Sequence, residues 1–147
     1  MEGQIGVTLT QREGYRFEID FGDGRPTLTS DEPPPLGQGA GPAPNHLLAA
    51  AVGNCLSASL HFAIGKYKQD HGGMSTRAIA QVGRNERGRL RIVGIDVAIT
   101  LGVEAGALQH LDRILGQFED FCTVSMSVAP AIPLTVSVFD ASGAKLK

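Results

Sequence analysis

Positive charge is too sparse in this chain to form a surface that binds nucleic acid. The sequence has 13 Lys and Arg residues against 15 Asp and Glu residues, which gives a formal net charge of −2. The only local concentration of arginines lies between positions 84 and 91, around a predicted turn. Scattered or turn-borne arginines are typical of a solvated surface, so we expect no nucleic-acid partner.

Long apolar runs are also missing. The longest apolar region, residues 47–64, is interrupted by glycine, asparagine, serine and histidine. A membrane-spanning helix needs about 20 predominantly apolar residues. The N-terminus has no basic segment followed by an apolar run, as a secretory signal would. We therefore expect a cytoplasmic protein with no membrane partner.

Cysteine is scarce, with only Cys55 and Cys122 in the chain. In a reducing compartment such a pair is more often free, redox-active or metal-binding than a static disulfide. Both residues could equally be small core side chains, because free cysteine is among the most buried residue types. The four histidines form no close ligand pair with either cysteine, so we expect no metal and no cofactor.

The remaining composition is that of an ordinary globular protein. Apolar residues make up 42% of the 147 positions, which suits one domain over residues 1–147. Residues 31–44, rich in proline and glycine, predict an irregular surface loop. Periodicity predicts strands at 7–10, 15–21, 27–30, 76–82, 90–101 and 132–139, and helices from 44 to about 72, at 104–121 and at 123–128.

The first predicted helix is unusually rich in alanine, glycine and serine. Such small side chains let another structural element approach the helix closely, so we expect it to be central and buried. The order of strands, long helix, hairpin, helix and strand indicates an α+β fold.

Two segments make the chain resemble the family of osmotically inducible protein C and the organic hydroperoxide resistance proteins, OsmC/Ohr. The first is GPAPNHLLAAAVGNC, which ends in Cys55, and the second is FEDFCTVSMSVAPAIPLTVSV, which contains Cys122. The resemblance implies an OsmC-like fold, in which antiparallel sheets wrap around two long central helices in an intertwined homodimer. It also implies active sites at the interface of that dimer.

The resemblance implies a thiol-dependent peroxidase. In this mechanism Cys55 attacks an organic hydroperoxide, or hydrogen peroxide, and becomes a sulfenic acid. Cys122 resolves that sulfenic acid as a disulfide, and a dithiol reductant, lipoyl-type in this family, restores both thiols. An arginine from the first hairpin activates the attacking thiol, and Arg12, in the predicted turn 11–14, matches it best. Arg16 and Arg25 are weaker matches.

The sequence departs from the family at one important position. The peroxidase members carry a glutamate ten residues before the first cysteine, and here that position is Asn45. Asn45, the following His46 and Glu32 of the proline-rich loop are candidates for contacts to the substrate. The alternative is a weakly catalytic or non-catalytic dimer that binds an apolar ligand or acts as a redox sensor.

Overall fold

The computed structural model describes residues 2–147 and has the α+β organisation that the sequence predicts. Its chain forms two compact units, one reaching to Leu47 and the other spanning Leu48–Lys147. The strands are β1 (Thr8–Glu13), β2 (Arg16–Asp20), β3 (Leu28–Ser30), β4 (Met74–Arg84), β5 (Leu90–Leu101) and β6 (Leu134–Phe139). The α-helices are α1 (Pro44–Gly65), α2 (Leu111–Gln117) and α3 (Thr123–Val128).

The N-terminal unit contains an antiparallel sheet with the strand order β1-β2-β3. The predicted turn at residues 11–14 is wrong, because β1 continues to Glu13 and the turn lies at Gly14 and Tyr15. The register shifts between Gln11 and Glu13, so Arg12 occupies a β-bulge. A bulge adds one residue to a strand without ending it, which the sequence pattern does not reveal.

The proline-rich loop is ordered around one carboxylate. Asp31 is only 3% exposed, and its side chain accepts backbone N–H hydrogen bonds from Glu32 at 2.9 Å and from Gln38 and Ala40 at 3.1 Å. These bonds, led by the one from Ala40, lower the pKa of Asp31 below its ordinary value of 3.8. Ionised Asp31 therefore satisfies amides that the irregular backbone cannot pair with itself.

The C-terminal unit contains a second sheet with the strand order β4-β5-β6. Strands β4 and β5 form the predicted hairpin and pair antiparallel, whereas β6 pairs parallel to β5. The expectation of purely antiparallel sheets is therefore wrong for β6. Alternating apolar residues mark β6 as a strand, but alternation carries no information on the direction in which a strand pairs.

Helix α1 begins at Pro44 as predicted, but it ends at Gly65 rather than near residue 72. The chain turns at Lys68, which has a left-handed φ of 55°. The predicted helix over residues 104–121 is likewise broken, since His110 has a left-handed φ of 59° and α2 starts only at Leu111. Residues other than glycine adopt this conformation in only a small minority of cases, so neither break is visible in the sequence.

The core of the C-terminal unit joins α1 to the second sheet and to the α2–α3 region. Its fully buried side chains include Leu56, Ile95 and Phe118. Gly53 faces β4 so closely that an added Cβ would lie 3.2 Å from the Cβ of Ala78. The predicted close approach to the small-residue helix is therefore confirmed for this unit.

Helix α1 has 22 residues and contains an 18-residue window with a mean hydropathy of 1.6, so length and composition alone would allow it to cross a membrane. Core helices of globular proteins share these properties. Here Val52, Leu56 and Leu60 of α1 are fully buried in the core of the C-terminal unit.

Candidate functional site

The two cysteines, far apart in sequence, meet in the C-terminal unit. Cys55 lies in the middle of α1, and Cys122 is the residue that precedes α3. Cys55 packs against the buried cluster of which Cys122 is a member. Both are free thiols. The small-residue helix brings one cysteine to the core, and the junction between a 3₁₀ turn (Phe118–Phe121) and α3 brings the other.

Cys122 is fully buried and its sulfur caps the start of α3. It adopts an extended conformation, and its Sγ accepts the backbone N–H of Ser125 at 3.3 Å. Serine, threonine, aspartate and asparagine usually fill such a capping position. A sulfur atom in this place is fixed by the helix backbone, so Cys122 has a defined position relative to α3.

Cys55 is half-buried, and its surroundings favour the neutral thiol. Burial, followed by interaction with the Cys122 thiol, raises the pKa of Cys55 above its ordinary value of 9.0. The backbone N–H groups of Val124 and Ser125 act in the opposite direction. The contact therefore brings together two thiols and two backbone N–H donors of α3. Burial has the largest effect on the pKa of Cys55.

A groove of about 440 Å³ gives access to Cys55. It is lined by Cys55, Ala58, Ser59 and Phe62 of α1 and by Phe121. The two phenylalanine rings meet edge to face, with centroids 5.6 Å apart. Cys122 has no exposed surface. A small molecule in this groove would therefore reach Cys55 before Cys122.

Arg12 lies in the N-terminal unit, on the exposed strand β1. One of its guanidinium nitrogens (Nη2) donates a hydrogen bond to Glu18 Oε1 at 2.6 Å. Arg25, a weaker candidate, pairs with Asp23 at 2.9 Å. The role of Arg12 in activating a thiol stays a prediction.

The three predicted substrate contacts also belong to the N-terminal unit. Asn45 and His46 are exposed in the first turn of α1, and Glu32 is half-buried in the proline-rich loop. The Nδ1 atom of His46 accepts the backbone N–H of Ala43 at 3.2 Å. His46 therefore has a capping role at the start of α1, whereas substrate binding by all three residues stays a prediction.

Three residues that line the groove beside Cys55 are not predicted from the sequence as site residues: Ser59, Phe62 and Phe121. Ser59 and Phe62 follow Cys55 by four and seven residues in the helix, a spacing that places side chains on one face. That spacing could have identified them as neighbours of the thiol. Phe121, in contrast, reaches the groove only through the tertiary fold.

In the part of the chain that the structure describes, no group of three or more His, Cys, Asp or Glu side chains is arranged to hold a metal. His61 and His71 are in contact, with Nδ1 and Nε2 2.8 Å apart. The second ring nitrogen of His71 lies 2.9 Å from the carbonyl oxygen of Gly73. The pair thus links the end of α1 to the turn before β4.

Comparison with known proteins identifies one family. A family model described as "OsmC-like protein" matches residues 37–137, which include both cysteines and the proposed groove. No curated protein matches the chain significantly in sequence.

Solved structures with the same fold cover nearly the whole chain. An OsmC-like protein of unknown function from Vibrio cholerae has a TM-score of 0.79 and 15% identity, over 94% of this chain and 100% of the other. An organic hydroperoxide resistance protein from Elizabethkingia anophelis has a TM-score of 0.74 and 20% identity, over 94% and 96%. One from Legionella pneumophila has a TM-score of 0.70 and 16% identity, over 93% and 98%. At these identities the likeness establishes the fold alone.

Proposed function

The chain belongs to the OsmC-like protein family, and from this premise we propose that it is a thiol-dependent peroxidase that reduces organic hydroperoxides. The observation that carries the proposal is the contact between a groove-exposed thiol, Cys55, and a buried thiol, Cys122. One thiol is placed to meet a substrate and the other is placed to react with the product formed on the first.

The proposed reaction has two steps in the protein. The Cys55 thiolate attacks the distal oxygen of the hydroperoxide, so that an S–O bond forms, the O–O bond breaks and an alkoxide leaves and takes up a proton. The Cys122 sulfur then attacks the Cys55 sulfenic acid, forming an S–S bond and releasing water. A dithiol, which we propose to be lipoyl-linked, reduces the disulfide by exchange.

Burial supports these two roles. Cys122 is fully enclosed, so a hydroperoxide cannot reach it before it reaches Cys55. Cys55 borders the groove, whose other lining side chains are mostly apolar and suit an organic substituent. The assignment of Cys55 as the attacking thiol and Cys122 as the resolving thiol follows from this difference in access.

The raised pKa of Cys55 means that a further group must favour its thiolate, because the thiolate is the nucleophile. We assign this role to Arg12, on the resemblance of the first hairpin to that of the family. The family's glutamate is replaced by Asn45, which can accept a hydrogen bond but brings no charge. We also propose a homodimer, in keeping with exposed apolar residues such as Phe62 and Met126.

Hydroperoxide consumption with dithiothreitol as the reductant tests the proposal. Wild type should consume cumene hydroperoxide catalytically. With Cys55→Ser, the rate of hydroperoxide consumption should fall to that of dithiothreitol alone. In a separate reaction without dithiothreitol, pre-reduced Cys122→Ser should consume one equivalent of hydroperoxide and then accumulate a Cys55 sulfenic acid that dimedone traps. If wild type and Cys55→Ser consume the hydroperoxide equally slowly, the chain is not a peroxidase of this kind.

A second candidate function is a dimeric protein that binds an apolar ligand in the same groove. The mostly apolar lining of the groove favours this alternative, and the raised pKa of Cys55 agrees with it, since a neutral thiol is a poor nucleophile. Native mass spectrometry of protein purified from its own host would reveal a retained apolar molecule. A groove that is empty in such a sample, together with rapid peroxide reduction, would exclude this alternative.

A further inference from the structure

One polar side chain interrupts the otherwise apolar groove. Cys55, Ala58, Ser59 and Phe62 follow the spacing i, i+3, i+4 and i+7, so they share one face of α1. Ser59 is 6% exposed and lines the groove one helical turn beyond Cys55. On this face of α1, the Ser59 hydroxyl is the hydrogen-bonding group that lines the groove together with the Cys55 thiol.

The Ser59 hydroxyl differs from two other helical serines. Ser57 Oγ donates to the backbone oxygen of Gly53 at 2.7 Å and contacts Thr76 Oγ1 at 2.6 Å. Ser127 Oγ donates to the backbone oxygen of Thr123 at 2.7 Å. Serines in helices commonly turn back to bond the carbonyl four residues earlier. Among residues 2–147, no protein group forms a hydrogen bond with the side chain of Ser59.

An unpaired hydroxyl that is completely enclosed would carry a desolvation penalty. Every fully enclosed side-chain nitrogen or oxygen atom in the described part of the chain has a hydrogen-bond partner. The oxygen of Ser59 must therefore have an open approach even though its residue is more than nine-tenths buried. Since Ser59 lines the groove, that approach is from the groove.

We propose that Ser59 contacts the substrate and donates a hydrogen bond to the proximal oxygen of a hydroperoxide bound at Cys55. This inference rests on the proposed peroxidase function. When the Cys55 sulfur takes the distal oxygen, the O–O bond breaks and negative charge develops on the proximal oxygen. A hydroxyl at the wall of a largely apolar groove would stabilise that charge, and water supplies the proton that converts the alkoxide to the alcohol.

Ser59 could form this hydrogen bond to the substrate without breaking an existing hydrogen bond to the protein. Its hydroxyl has no protein partner to abandon when the substrate arrives, whereas Ser57 would have to break two existing contacts. A hydrogen bond to a charged group contributes about 1.5–3 kcal/mol, which corresponds to a rate effect between roughly 10-fold and 160-fold.

The test compares two reactions of Cys55 in Ser59→Ala. Stopped-flow oxidation by tert-butyl hydroperoxide should slow by about 10-fold or more, because the developing alkoxide loses its donor. Alkylation of Cys55 by iodoacetamide should keep the wild-type rate, since iodide needs no such donor. Ser59→Thr, which retains the hydroxyl, should recover most of the oxidation rate. Ser57→Ala serves as the matched control and should change neither reaction.

Changing the leaving group gives a second readout. Peracetic acid releases acetate, a much better leaving group than tert-butoxide, so Ser59→Ala should slow its reaction far less. A variant that only disturbs packing would slow both oxidants and alkylation alike, which would overturn the proposal.

Failure of this proposal can be told apart from failure of the peroxidase function. If wild type oxidises rapidly and Ser59→Ala is equally fast with tert-butyl hydroperoxide, Ser59 does not contact the reacting oxygen. If wild-type Cys55 reacts with hydroperoxides no faster than free cysteine, the peroxidase function itself is wrong, and the role of Ser59 is rejected with it.

Discussion

The two compact units are stabilised by different interactions. In the C-terminal unit the cysteines sit in a cluster of fully buried apolar side chains that includes Leu56, Ile95 and Phe118. In the N-terminal unit strand β1 is exposed along its whole length, and the proline-rich loop is organised by hydrogen bonds to buried Asp31. The thiols are thus positioned by packing, which is insensitive to pH, whereas the loop is positioned by a charge.

The largest expected effect comes from truncating the core beside Cys122. Phe118→Ala should lower the free energy of unfolding by about 3–5 kcal/mol, because it removes a fully buried ring and leaves a cavity. Phe121→Ala is the control, since this ring lies in the same 3₁₀ turn but is 43% exposed. Urea denaturation should show a much smaller loss for Phe121→Ala, and equal losses would contradict the packing account.

The next largest loss of stability is expected where α1 and β4 approach each other closely. Gly53→Val should destabilise the protein by about 1–3 kcal/mol, because its side chain would be forced against Ala78 and Thr76 of β4. Gly65→Ala is a comparison in the same helix, where nothing lies within 4 Å of an added Cβ. Thermal denaturation should show that Gly65→Ala is neutral or stabilising. A neutral Gly53→Val would show that the two elements are not in contact.

A smaller effect, and one that depends on pH, is expected in the proline-rich loop. Because the folded-state pKa of Asp31 lies below 3.8, ionised Asp31 stabilises the loop above that pH, and the contribution is lost as the pH falls through the folded-state pKa. Asp31→Asn should therefore speed amide hydrogen exchange at Gln38 and Ala40 at neutral pH. In wild type, the two amides should become faster to exchange, relative to the rest of the chain, only when the pH falls to the folded-state pKa of Asp31. Asp23→Asn, at an exposed ion pair, should leave both amides unchanged.

The smallest expected effect on stability, but the most informative for the chemistry, concerns Arg12. If Arg12 supplies the charge that favours the Cys55 thiolate, Arg12→Ala should shift the midpoint of iodoacetamide alkylation to higher pH than in wild type, because burial and the Cys122 thiol then raise the pKa of Cys55 unopposed by that charge. Wild type should titrate at a lower pH. Arg25→Ala, another exposed and ion-paired arginine, should match wild type. Identical profiles for wild type and Arg12→Ala would remove Arg12 from the mechanism.

The sequence predicted the parts of the molecule that depend on periodicity. The start of α1, the β4–β5 hairpin and strand β6 follow from apolar spacing and from Pro44. The early end of α1 and the late start of α2 could not be predicted, because they depend on left-handed Lys68 and His110. The parallel pairing of β6 with β5 depends on how the whole chain is threaded, which no local pattern encodes.

The candidate site was only partly predictable. The contact between Cys55 and Cys122 was anticipated from family resemblance, since nothing local links two residues so far apart. Helical spacing from Cys55 is enough to place Ser59 on the same helix face, but the sequence alone gave Ser59 no role, since an unpaired hydroxyl is a property of the folded chain. Likewise the adjacent acids Asp31 and Glu32 look alike in sequence, and only the fold makes Asp31 the one that organises the loop.

We propose above that Cys55 and Cys122 act together on a hydroperoxide. The most direct measurement treats the fully reduced protein with one equivalent of cumene hydroperoxide, blocks the remaining thiols and identifies the cysteine peptides by mass spectrometry. We expect that both thiols of a chain are consumed and that the peptides containing Cys55 and Cys122 are joined within that chain. Recovery of both cysteines as free, alkylated thiols, or disulfides that join only different chains, would contradict it.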